Sequence, residues 1–316
     1  MAMTDSARLD TEDRAPDHGK LARMALQTCL FLTAVAGMTL APYVLLGLWN
    51  RLFGGWRSVF FCYAGSPNFI STYAPPWMVD PLRWRPSPLG VLSQSGTRGL
   101  VLAAPVTEAE FLDPANAEKF ATLQRRLWRI ARILGVQDVN MAGILPSVLK
   151  DEDIRPRDSR AVVAAAVDAA ARKVAQENFK TPPPIILIGG AGHVGAPTAD
   201  RLREWAEVHV IDPKLGSEVI PQLEGPALVI DIARRGVLTG YLDQLRPGWT
   251  VLNETFPQPS RTLVSQLRAR GIDVWHLSGL KGRITPPLPF GYADAVPCCA
   301  AHEAGDPVEV RVVRLS

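Results

Sequence analysis

The stretch Ile185-Ile186-Leu187-Ile188 followed at once by Gly189-Gly190-Ala191-Gly192-His193-Val194-Gly195 constrains this chain more than any other feature. A four-residue apolar run suits a strand buried on both faces. The glycines behind it meet the pattern G-x-G-x-x-G at Gly190, Gly192 and Gly195. The three serve, in turn, a tight bend, close approach of backbone to a pyrophosphate, and close packing of a helix on the strand. The helix that follows presents free N–H groups and a positive dipole end to phosphate.

The pattern alone is weak, but its surroundings agree with it. A helix is expected from Val194 to Trp205 and a second strand from Glu207 to Ile211. Asp212 ends that strand 17 residues after Gly195, where a ribose-binding carboxylate belongs. The competing reading is a turn former before Pro213. Lys214 is placed to accept a 2′-phosphate, so NAD and NADP both stay open. Further strands are expected at 227–230, 250–253 and 274–277, with helices at 236–245 and 260–270. That alternation predicts a doubly wound parallel α/β sheet of Rossmann type. Its ligand belongs at the strands' carboxyl ends. Asp231, Asn253, Glu254 and Ser278 sit at such ends. The expected cofactor-binding set is Gly190, Ala191, Gly192, His193, Val194, Gly195, Asp212, Lys214, Asp231 and Asn253.

Upstream, residues 1–19 are polar and read as a disordered tail. Met24 to Trp49 holds no charged residue. As one helix it would be about 39 Å long, enough for a hydrocarbon core of about 30 Å. Residues 20–57 are therefore expected to meet membrane lipid. A buried core helix and a cleaved leader ending near Ala34-Val35-Ala36 are the competing readings. Basic residues flank both ends, at Arg8, Arg14, Lys20 and Arg23 and at Arg51 and Arg57. A re-entrant hairpin bent near Gly37 to Pro42 would keep the Rossmann domain cytoplasmic.

Between these regions, residues 58–157 are expected to form a smaller α/β substrate lobe. Its aromatic and proline-rich start, 58–88, reads as irregular. Gly99 to Val106 reads as a strand. A helix capped by Asp113, with Pro114 in its first turn, runs to Gly135. An alanine-rich helix over 158–180 links this lobe to the Rossmann domain of 181–316.

The net charge of +3, with scattered basic residues, does not call for a nucleic-acid partner. The four cysteines form neither a metal set nor a disulfide framework, and a reducing compartment follows. No metal is expected, and nothing in the sequence identifies a protein partner. Cys298, Cys299 and His302 form the one reactive-looking cluster. A helix starting at Pro297 would put Cys298 and His302 one turn apart and favour a thiolate that attacks a thioester.

PGWTVLNETFPQP and LPFGYADAVPCCAA, with the order of lobes around them, resemble the long-chain acyl-ACP reductases. The resemblance implies NADPH, an acyl thioester substrate and Cys298 as nucleophile. The chain departs from that family at Ala301, where its Glu is expected, and in the glycine loop. The two-lobe plan with a linking helix also resembles shikimate and methylenetetrahydrofolate dehydrogenases. The expectation is thus a membrane-associated NAD(P)H-dependent oxidoreductase that reduces an acyl group. The alternatives are a small-acid or amino-acid dehydrogenase without a thiol, and a non-catalytic nucleotide-binding membrane subunit.

Overall fold

The computed structural model describes the chain outside residues 1–19, 36–39, 65–69, 71–73, 75, 149–156, 235, 257, 289–294, 304, 306 and 316. The expected disordered tail lies outside the described residues. The chain divides into two compact units. One takes residues 15–159 and 282–302, the other 160–281 and 303–316.

The first unit is built on a five-stranded sheet. Its strands are β1 (Trp56–Ala64), β2 (Ser87–Gln94), β3 (Thr97–Thr107), β4 (Asp138–Met141) and β10 (Arg283–Thr285), in the order β10-β2-β3-β1-β4. β1 runs parallel to β3 and β4, whereas β2 is antiparallel to β3 and to β10. β1 occupies the stretch expected to be irregular. From Ser58 to Ala64 every residue is buried, so no polar–apolar alternation marks it as a strand. Its β-branched and aromatic residues, Val59, Phe60, Phe61 and Tyr63, suit that role. β2 begins at Ser87-Pro88, and proline is tolerated at a strand's start.

Helix α3 (Ala117–Leu134) covers one face of this sheet with the expected stripe of Phe120, Leu123, Leu127, Ile130 and Leu134. Asp113 accepts a hydrogen bond from the Ala115 N–H just before it, and Gly135 ends it in the left-handed conformation.

The apolar N-terminal run is not one continuous helix. It forms α1 (Lys20–Val35) and α2 (Ala41–Phe53), of 16 and 13 residues. No helix among the described residues is long and apolar enough to cross a membrane, which corrects the expected single span. Pro42 opens α2, where its missing N–H costs nothing. Arg23 of α1 is fully buried and donates to the Pro287 carbonyl oxygen, so this side of α1 faces protein.

The second unit carries β5 (Ile185–Ile188), β6 (Val208–Ile211), β7 (Leu228–Asp231), β8 (Thr250–Asn253), β9 (Asp273–Lys281) and β11 (Val310–Leu315). They follow the order β6-β5-β7-β8-β9, all parallel, with β11 antiparallel on β9. The chain leaves β5 towards β6 and then crosses back to β7, which puts the reversal of strand order between β5 and β7. This is the doubly wound Rossmann-type sheet that the sequence predicts, with an antiparallel edge it does not. Helices α5 (Gly195–Arg203) and α6 (Arg261–Ala269) follow β5 and β8. The segment expected as a helix over 236–245 is a 3₁₀ stretch, Val237–Gln244.

The alanine-rich helix α4 (Arg160–Asn178) belongs to this unit and packs on β9, β11 and α5. Its Asp168 accepts a 2.7 Å hydrogen bond from the Trp205 indole and pairs with Arg172, whose guanidinium lies over the Trp205 ring.

Candidate functional site

The glycine loop closes the carboxyl end of β5 at the reversal point. Gly189, outside the three pattern positions, is the residue with a positive φ, +89°. A Cβ there would also press on Ala233, just past β7. At Gly195 a Cβ would stand 2.2 Å from the Gly189 carbonyl oxygen, so helix α5 meets the loop as closely as the pattern requires. Gly190 packs against Val210 of β6. Among the described residues the one atom within 4 Å of a Gly192 Cβ is the Gly189 oxygen at 3.2 Å, so its outer side is open. His193 is exposed; Ala191 and Val194 are half-buried.

Asp212 is buried. Its carboxylate accepts the Ala191 N–H at 3.0 Å and the Lys214 N–H at 2.9 Å. It therefore ties the glycine loop to the turn after β6, while the Lys214 side chain lies exposed.

Strand register sets a polar row beside this loop. Ile188, Asp231, Asn253 and His276 are successive cross-strand partners on β5, β7, β8 and β9. Asn253 donates through Nδ2 to Asp231 Oδ2 at 3.3 Å and to Thr255 Oγ1 at 2.8 Å. Its Oδ1 lies 3.0 Å from His276 Nδ1. Since the amide oxygen only accepts, Nδ1 carries the ring proton and Nε2 keeps a lone pair. Among the described residues that buried Nε2 has no hydrogen-bond partner, and neither has Ser278 Oγ two residues on.

Burial sets the charges of this row. It pushes the Asp231 carboxyl up to about 7, against the pull of the Ala233 N–H and the Asn253 amide. Glu254, next along the chain from Asn253, is raised to about 8 by burial and then by Asp231. His276 is lowered to about 4 by burial, so the ring is neutral near pH 7. Asp231 and Asn253 are in the row as the sequence places them, at strand ends. His276 joins them without having been among the residues expected there. Its one signal in the sequence is an imidazole between the apolar residues Val274, Trp275 and Leu277 of a strand.

Cys298, Cys299 and His302 fall in the other unit. The expected helix at Pro297 stops after Cys298–Ala300, and Ala301 is extended, so Cys298 and His302 do not share a helical turn. Cys298 is buried and Cys299 half-buried. His302 is 1% exposed, with Ser58 Oγ 2.7 Å from Nε2 and Thr97 Oγ1 2.6 Å from Nδ1. Thr97 Oγ1 donates to the Gln94 carbonyl oxygen, so it accepts from Nδ1–H, and Nε2 accepts from Ser58. Gln94 also accepts the His302 N–H, and Arg157 binds the His302 carbonyl oxygen. The basic nitrogen of this ring is thus committed to Ser58. The helical turn expected to bring the His302 ring beside the Cys298 thiol is therefore not formed. Among the described residues no cluster of His, Cys, Asp and Glu has a metal-binding arrangement.

Fold and site together define a Rossmann-type unit with a buried acid–amide–imidazole row beside its glycine loop. No family model matches the sequence, and no curated protein matches it. Among solved structures, the chain is similar to a shikimate dehydrogenase in complex with NADP+, at 12% identity and a TM-score of 0.35, covering 70% of this chain and 84% of that one. It is also similar to shikimate 5-dehydrogenase from Listeria monocytogenes, at 10% identity and 0.32, covering 71% and 86%. A third is the methylenetetrahydrofolate dehydrogenase/cyclohydrolase from Campylobacter jejuni, at 13% and 0.31, covering 78% and 89%. Likeness at this level adds nothing to the topology already described.

Proposed function

We propose that the Rossmann unit binds NAD or NADP and that the chain is an oxidoreductase for a small molecule, working by acid–base residues without a thiol nucleophile. The observation that carries this reading is the placement of the glycine loop against the Asp231–Asn253–His276 row at one end of one sheet.

The loop fits the dinucleotide. Gly192 leaves its outer side open to a pyrophosphate. Helix α5 aims its first N–H groups and the positive end of its dipole from the same loop. Asp212 is held in place to meet a ribose hydroxyl, with Lys214 beside it for a 2′-phosphate. When bound, the nicotinamide supplies or accepts the hydride. The protein's part is the proton. A carboxyl at about 7 can give or take one near neutral pH, where general acid–base groups work best. Asn253 fixes the orientation of Asp231 and the tautomer of His276. The neutral His276 offers its Nε2 lone pair as an acceptor.

The test is a titration of the full chain with NADH and with NADPH, followed by nicotinamide fluorescence. Saturable binding that Gly192→Asp abolishes is the expected result, and the tighter cofactor separates NAD from NADP. Absence of binding to both by a folded chain would refute the reading.

A further inference from the structure

Helix α2 turns one side to protein and leaves the other exposed among the described residues. Tyr43 and Gly47 are buried. A Cβ on Gly47 would lie 2.0 Å from the Ile133 carbonyl oxygen of α3, and Asn50 donates to the Leu134 carbonyl oxygen. The opposite side presents Val44, Leu45, Leu48, Trp49, Leu52 and Phe53, with exposures from 44% to 76%. Their spacing of three and four residues joins them into one strip. The Trp49 and Phe53 rings stand 4.4 Å apart at its end. Scattered exposed apolar residues need no explanation, but a contiguous strip of large ones marks an interaction surface.

Charge selects the occupant. Helix α2 holds no acidic residue; Arg51 lies in its last turn and Arg57 just beyond. Helix α3, on which it packs, exposes Arg125, Arg126, Arg129 and Arg132 and has Glu118 as its single acid. An apolar strip ending in aromatics, on a helix with no acid and with Arg51 and Arg57 at its end, complements an anionic lipid surface. At 13 residues α2 is about 20 Å long, short of a hydrocarbon core of about 30 Å, so it suits lying in the interface and not spanning it.

We propose that α2 docks the chain on anionic bilayers, lying in the membrane plane with the Leu48, Trp49, Leu52 and Phe53 side chains at the headgroup–acyl boundary. This inference is independent of the oxidoreductase reading. The test is co-sedimentation of the full chain with phosphatidylcholine vesicles, with and without phosphatidylserine. Binding is expected only with phosphatidylserine present, weakening as salt is raised. The double variant Leu48→Glu/Leu52→Glu should lose roughly tenfold or more in vesicle affinity. Both positions are exposed, so its thermal melt should match the parent's. Brominated lipid should quench tryptophan fluorescence, and Trp49→Phe should remove most of that quenching. Equal vesicle binding by the parent and the double variant, or none by either, overturns the proposal. So does a chain that dimerises through this strip and ignores vesicles, which would give the strip to a second copy.

Discussion

At the scale of single residues, Asp231, Glu254 and His276 couple the candidate site to pH. In the folded chain Asp231 and Glu254 stand at about 7 and about 8, against ordinary values of 3.8 and 4.5. Their stabilising contribution is full below the ordinary carboxylate range and is lost as pH rises through 7 and 8. His276 has the opposite sign. Lowered to about 4 from 6.5, it contributes above 6.5 and loses that contribution as pH falls through 4. The three effects oppose one another below pH 6.5, and only the carboxyls act above it. Stability should therefore fall by roughly 2–3 kcal/mol between pH 6.5 and 8, at 1.36 kcal/mol per pKa unit. Urea unfolding at the two pH values measures this. Asp231→Asn with Glu254→Gln should flatten the difference, and an unchanged slope in that pair of substitutions would show that other groups set it.

At the scale of elements, the helix–helix contact between α2 and α3 hinges on one missing side chain. The Ile133 carbonyl oxygen that a Gly47 Cβ would strike is backbone and has little room to yield. Gly47→Ala should thus cost about 1–3 kcal/mol in thermal or denaturant unfolding, as overpacking does. This is despite alanine's better helix propensity, which alone would favour the change by about 1 kcal/mol. A stabilised variant would mean the helices separate readily. Elements also differ in how far the sequence makes them legible. β5, α4, β8 and α6 stand out by periodicity, caps and flanking prolines or glycines. β1 is hidden because a central strand buried on both faces has no alternating pattern to read.

At the scale of the whole molecule, the chain leaves the first unit at Ser159 and returns to it for residues 282–302. The returning segment supplies the edge strand β10 and the His302 ring that satisfies Ser58 and Thr97, both in the interior strands β1 and β3. Gly99 makes room for this arrangement: a Cβ there would fall 2.6 Å from Ser58 Oγ. A fragment of residues 1–159 alone would leave the buried Ser58 hydroxyl without its acceptor, at about 1–3 kcal/mol. That fragment should fail to unfold cooperatively and should be cleaved rapidly by protease, while the full chain resists. A compact, cooperatively melting fragment would show that the return segment is dispensable.

Local spacing in the amino-acid sequence is enough to define the Rossmann-type sheet, its glycine loop and the strand-end positions of Asp212, Asp231 and Asn253. A short apolar run, glycines at set intervals and strands alternating with helices are all features of near neighbours. Four other outcomes belong to the folded chain alone. His276 completes the polar row, Gly189 makes the turn, His302 is bound to Ser58 and Thr97 instead of sitting one helical turn from Cys298, and the apolar N-terminal run breaks into two helices. Those outcomes rest on contacts between residues far apart in the chain. Strand register carries Asn253 to His276, a returning segment carries His302 to Ser58, and the packing of α2 on α3 settles which of its apolar residues are buried and which stay exposed.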